Sequence, residues 1–145
     1  VLRKMKRYIG LDLGTTTLGV SITDKTNTLV SPVKLIKFKR EDYDFALDEL
    51  IKIAEEKKVK DFVLGLPKNM DNSLGFAANR SLNFKTMLEE KGFNVYLEDE
   101  RLTTVEALNI MKNNGMKNIK EKEKTDILSA VLILETFLKR EKYEK

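Results

Sequence analysis

The chain contains neither cysteine nor histidine. Without cysteine there is no disulfide, no thiolate nucleophile and no cysteine-bound zinc. Without histidine, every mechanism that needs an imidazole as base or metal ligand is excluded. Long apolar runs are missing too. None approaches the roughly 18–20 residues needed to span a bilayer, so no membrane partner is expected. The basic amino terminus, Val1 to Arg7, leads into a strand pattern and not into an apolar signal segment. The simplest reading is a cytoplasmic protein, with Met5 as a natural start and residues 1–4 as an extension. Any chemistry must come from carboxylates, Lys, Ser, Thr or Tyr, with a hard, oxygen-loving ion such as Mg²⁺ or Mn²⁺.

What is present suits one ordinary domain. The 145 residues are 41% hydrophobic and 34% charged, which is globular in character and long enough to bury a single core. The net charge of +4 reflects 27 basic against 23 acidic residues. It favours an anionic partner only mildly, since a Lys/Glu-rich surface gives the same balance.

Residues 7–13 are nearly continuously apolar, as a central buried strand would be. After Gly14-Thr15-Thr16-Thr17, the alternation of Leu18, Val20 and Ile22 with Gly19, Ser21 and Thr23 predicts a half-buried strand. A turn at residues 24–27 and a third strand over 28–38 follow, with Pro32 marking an edge or bulge. Glu41 to Lys58 reads as an amphipathic helix with dipole-matched ends, and 61–66 as a short buried strand stopped by Pro67. A helix over 75–91 ended by Gly92, a fifth strand over 94–98, a helix from Thr103 to about Asn113 and a last helix over about 123–139 complete the order. Three strands in succession argue for an antiparallel meander, and the alternating remainder for parallel additions to the same sheet. The expectation is a single mixed-sheet α/β domain over 1–145.

Three acidic positions stand out. Asp12 lies among Ile9, Leu11 and Leu13, where an unpaired charge is expensive. It is either a metal-binding carboxylate or an acid accepting hydrogen bonds from the Gly14–Thr17 turn. Glu98-Asp99-Glu100 closes the fifth strand; alone it reads as a solvated loop, yet the carboxyl ends of parallel strands are where sites are built. Asp126 falls in the expected first turn of the last helix, where an acid is favourable for electrostatic reasons alone. Three converging carboxylates about 5 Å apart would repel pairwise by roughly 3 kcal/mol at an effective dielectric near 20, so such a cluster needs cations. Two ions would suit phosphodiester hydrolysis, and no histidine is required.

Four blocks then carry a resemblance: Gly10-Leu-Asp-Leu-Gly-Thr15 with Leu18-Gly-Val; Gly65-Leu-Pro-Lys-Asn-Met-Asp71; Asp99-Glu-Arg-Leu-Thr-Thr104; and Asp126 before a Leu/Ala-rich helix. In this order they resemble the YqgF family, named for pre-16S ribosomal RNA nuclease or Holliday-junction resolvase activity on a ribonuclease H-like fold. The likeness runs from about Lys6 to Leu138. It implies a five-stranded sheet of order 3-2-1-4-5 and a nuclease using two Mg²⁺ or Mn²⁺ ions held by Asp12, Glu100 and Asp126. It singles out Glu100 from its acidic neighbours. Lys68 and Asn69 would be phosphate contacts, and Arg101 either a phosphate contact or, the reading favoured, a partner for a local acid. The substrate would be structured or precursor RNA, with branched DNA the alternative, and the protein a monomer or weak homodimer. Thr16 and Thr17 stand where the family usually has a basic residue, Asn72 where glycine is common and Ser129 where alanine is usual.

The same first motif also looks like the first phosphate loop of the actin, heat-shock chaperone and sugar-kinase ATPases. Those need two lobes and a second glycine-rich loop; 145 residues supply one lobe, and no such loop follows. A further rival is a non-catalytic nucleic-acid or ribosome-associated module. Its feature is Lys112 to Lys124, with five lysines and two glutamates, a basic loop beside the site or, the reading favoured, a solvated connection.

Overall fold

The computed structural model describes residues 6–68, 74–99 and 121–143. The elements are β1 (Tyr8–Leu13), β2 (Thr17–Thr23), β3 (Val30–Lys37), α1 (Tyr43–Lys57), β4 (Asp61–Leu66), α2 (Phe76–Glu90), β5 (Asn94–Asp99) and α3 (Glu121–Tyr143). The helix expected over 103–113 and the connection over 114–120 lie outside the described residues.

The five strands form one sheet of order β3-β2-β1-β4-β5, as the resemblance implied. β1 to β3 are antiparallel neighbours, whereas β4 pairs parallel with both β1 and β5. β1, β4 and β5 therefore end at the same edge, with Leu11 opposite Leu64 and Gly65 opposite Glu98. β3 is an edge strand, and the pairing slips between Val20 and Ser21 as Pro32 is reached. Both expectations for Pro32 hold there, because a residue without an N–H is tolerated where the ladder is interrupted or unpaired.

On one face, Ile9, Leu11, Leu18 and Val20 pack against Leu50 of α1 and Phe84 of α2 in the main apolar core. Asp42 caps α1, its side chain accepting from the Phe45 N–H, and the helix ends at Lys58 in a left-handed conformation. The helix thus starts after Glu41, which has a positive φ of 62° and does not belong to it. Gly92 follows α2 at φ 93°, the left-handed stop expected of glycine.

The opposite face is covered by α3. Its outer end is held by Phe137, whose ring lies 5.1 Å from Tyr8 and 5.6 Å from Tyr96. The Tyr8 phenol is pushed above its ordinary pKa, first by burial and then by Tyr96, Asp61 and Glu141. This cover corrects the half-buried reading of β2. Ser21 and Thr23 are fully buried, because their face meets α3 and β1 instead of water. Their hydroxyls are satisfied: Ser21 Oγ donates to the Ala130 carbonyl at 2.8 Å, and Thr23 Oγ1 accepts from the Tyr8 N–H at 2.9 Å.

Candidate active site

Side chains alternate across a strand, so Asp12 shares its face with Gly10. That face is the α3 side: a Cβ on Gly10 would fall closer than 3.0 Å to Ser21 Oγ, the Ala130 carbonyl and Leu134 Cβ. Directly opposite Asp12 on β2 is Gly19. There a Cβ would fall closer than 3.0 Å to the Asp126 carbonyl oxygen. The main chain of α3 at Asp126 thus occupies the volume a side chain at Gly19 would fill. Two glycines in strand interiors let the helix descend onto β1 and β2, and so bring Asp126 beside the strand that carries Asp12.

The turn between β1 and β2 completes the placement. The Gly14 N–H donates to the Thr17 carbonyl at 2.7 Å and closes the turn. Thr17 Oγ1 then donates to Asp126 Oδ2 at 3.0 Å, across 109 positions of sequence. Hydrogen bonds to a carboxylate are stronger than neutral ones, and this one fixes where the Asp126 oxygen points. Thr17 thus acts here on the acid. Asp126 is also the sixth residue of α3, which begins at Glu121. The expected first-turn position is corrected: macrodipole stabilisation fades beyond the first turn and does not account for this acid.

The acidic triplet does not begin as a solvated loop. β5 runs through Asp99, and Glu98 is only 3% exposed. Its Oε2 lies 2.8 Å from Arg140 Nη1, and that guanidinium is 5.8 Å from the centre of the Phe137 ring. Glu98 belongs to the anchoring of α3. Lys68 follows β4 at the edge where β1 and β5 also end, half-buried beside Pro67. Glu100, Asn69 and Arg101 lie outside the described residues. The structure thus brings Asp12 and Asp126 to one end of one face, with Lys68 leaving the same edge.

The family model described as "RuvX: Holliday junction resolvase" matches residues 6–140. The chain belongs to this family. RuvX-family relatives include proteins named "Putative pre-16S rRNA nuclease" from Lactobacillus helveticus and Lactococcus lactis subsp. cremoris. The first is 38% identical over 135 residues, covering 91% of this chain and 95% of its own length. The second is 39% identical over 133 residues, covering 91% and 93%. Among solved structures, the fold is similar to RuvC of Thermus thermophilus in complex with a Holliday junction substrate. The TM-score is 0.62 at 14% identity, covering 94% of this chain and 97% of that one. The fowlpox virus Holliday junction resolvase gives 0.61 at 12% identity, covering 92% and 99%. The family and its relatives carry nuclease names, and the solved structures show a RuvC-like, ribonuclease H-type fold.

Within this RuvX-family chain, the positions that sequence reasoning missed are Gly10, Gly19, Thr17 as a holder of Asp126, and Arg140. A signal existed for the glycines, since glycine inside a strand marks a close backbone approach. None existed for the partner, which is more than a hundred residues away. The donors at the site are oxygens only, which fits a hard cation. Among the described residues no three acids converge as a cage, Glu100 being outside them. No helix among the described residues is long and apolar enough to cross a membrane.

Proposed function

We propose that the protein is a metal-dependent endonuclease that hydrolyses phosphodiesters and trims the 5′ end of precursor 16S ribosomal RNA in the cytoplasm. The observation that carries the reading is the convergence of Asp12 and Asp126 at Gly19, with the Thr17 hydroxyl holding one carboxylate in place. The names of the relatives support the substrate. In this reading Glu100 is the third carboxylate. Two Mg²⁺ or Mn²⁺ ions bound among the three would supply charge neutralisation and Lewis acidity toward the scissile phosphodiester.

The chain's own residues do the rest. Asp12, rigid on a central strand, fixes one side of the site, and the Thr17 bond keeps Asp126 from rotating away. That is the preorganisation an electrostatically driven hydrolysis requires. Lys68 and Asn69 would meet the phosphates of the strand, and Arg101 would pair with a neighbouring acid.

Resolution of four-way DNA junctions is the second reading, favoured by the description of the matching family. Both are tested by incubating the protein with precursor ribosomal RNA, single-stranded RNA and four-way DNA junctions in Mn²⁺, Mg²⁺ or EDTA, beside Asp12→Asn. The expected result is cleavage of the RNA precursor, lost in EDTA and in the variant. Preferential junction cleavage selects the second reading. Cleavage that survives both EDTA and the substitution refutes the mechanism, and binding without cleavage on every substrate makes the protein a non-catalytic module.

A further inference from the structure

Phe76 is 93% exposed, and Leu74, two residues earlier, is 48% exposed. A single exposed apolar side chain is unremarkable on a protein surface. What sets Phe76 apart is its place and its electrostatic surroundings. It opens α2 directly after the connection from β4, and β4 ends at the edge where β1 and its Asp12 also end.

The two helices on this side of the sheet differ in charge. α1 holds five acids, is capped by Asp42 and carries Asp44 in its first turn. α2 begins at Gly75 with no side-chain cap, and its first thirteen residues, Phe76 to Leu88, contain no Asp or Glu. Its charges over that stretch are Arg80 and Lys85, and Lys68 precedes it. Arg80 is four residues after Phe76, so the two positions lie next to each other on one helix surface. α1 is built for its own stability, whereas this end of α2 offers an exposed aromatic ring on a helical stretch that carries cations and no acid.

We propose that Phe76 is a base-stacking residue that receives an unpaired nucleotide of the substrate strand, with Arg80 against the adjoining phosphate. The inference rests on the nuclease reading and adds to it a preference for single-stranded or splayed nucleic acid at the site's edge. An aromatic ring stacks on any base face, and a nearby cation holds the backbone; together they select a single strand, whose bases are free, over a duplex, whose bases are stacked already. A phosphate contact alone would not discriminate in this way.

The test is equilibrium binding in EDTA, by fluorescence anisotropy, of a twelve-nucleotide single-stranded RNA and a blunt duplex of the same sequence. Wild type, Phe76→Ala and Phe76→Trp are compared, with 2-aminopurine in the single strand reporting stacking. Phe76→Ala should bind the single strand about tenfold more weakly, leave duplex affinity unchanged and lose the 2-aminopurine quenching, while Phe76→Trp restores both. Because the ring is exposed, thermal midpoints should agree within a degree or two, which separates the effect from misfolding. Equal single-strand affinity and quenching in wild type and Phe76→Ala overturn the proposal while leaving the nuclease reading intact if wild type still cleaves. A change in sedimentation on Phe76→Ala with unchanged RNA binding overturns it in favour of contact with a second copy. Wild type that neither binds nor cleaves any of the nucleic acids overturns both readings.

Discussion

The two faces of the sheet are built from the same strands but on opposite plans. The face under α1 and α2 is lined by large aliphatic side chains, Ile9, Leu11, Leu13, Leu18 and Val20, and its thickness comes from interlocking apolar groups. The face under α3 has Gly10, Asp12, Thr17, Gly19 and Ser21, and the helix reaches it by way of Ala130 and the main chain at Asp126. One face tolerates small shifts because its contacts are many and non-directional. The other combines an apolar cluster of Val63, Ile133, Leu134 and Phe137 with a tighter region around Asp126, where the contacts are hydrogen bonds and backbone approaches with one workable distance. The difference teaches that both sides of the sheet carry apolar packing, while the close backbone approaches that position Asp126 belong to one side alone.

Substitutions that act on one face alone would test this division. Asp126→Asn should lower turnover on the order of a thousandfold, about 4 kcal/mol of barrier, with the thermal midpoint in EDTA held or raised. A parallel fall in the midpoint would show that the carboxylate is structural. Phe84→Ala, on the aliphatic face, should cost about 3–5 kcal/mol of stability in urea unfolding, with turnover per folded molecule unchanged. A matching loss of turnover would break the separation of the faces.

Gly19→Ala is the substitution that should join the two properties. Its methyl group meets the Asp126 carbonyl, so α3 must lift. The expected result is a stability loss of about 1–3 kcal/mol with a fall in turnover of about a hundredfold, since displacing a catalytic group by an ångström is enough for that. Thr17→Val should lower turnover about tenfold with little change in KM, and Thr17→Ser should recover it. A rise in KM alone would place Thr17 on the substrate and not on Asp126.

The smallest effect should come from outside both faces. Asp24 in the β2–β3 turn accepts from the Thr28 and Leu29 N–H groups at 2.8 and 3.2 Å. These bonds, with one from the Thr26 hydroxyl, hold its carboxyl below the ordinary value. A carboxyl whose pKa is lower folded than unfolded stabilises the fold above the unfolded value, near 3.9, and loses that contribution as pH falls through the folded one. Asp24→Asn should therefore flatten the stability profile below about pH 4 and leave turnover at neutral pH unaltered, as paired urea titrations and rate measurements would record.

The sequence by itself determined much of the architecture. Alternation and apolar runs located all five strands and both helices of the aliphatic face, since burial on a sheet or helix writes its period into neighbouring residues. It also singled out Asp12, because a charge in an apolar strand is costly without a reason, and the family resemblance proposed Glu100 and Asp126 beside it. Three things were decided only by tertiary structure. The polar side of β2 became buried because α3, a hundred residues away, covers it. Glu98 became an anchor because Arg140 reaches it, and Asp126 came to lie beside β2 because Thr17 and Gly19 receive it. Each depends on a distance between segments remote in the chain, and local periodicity carries no information about such distances.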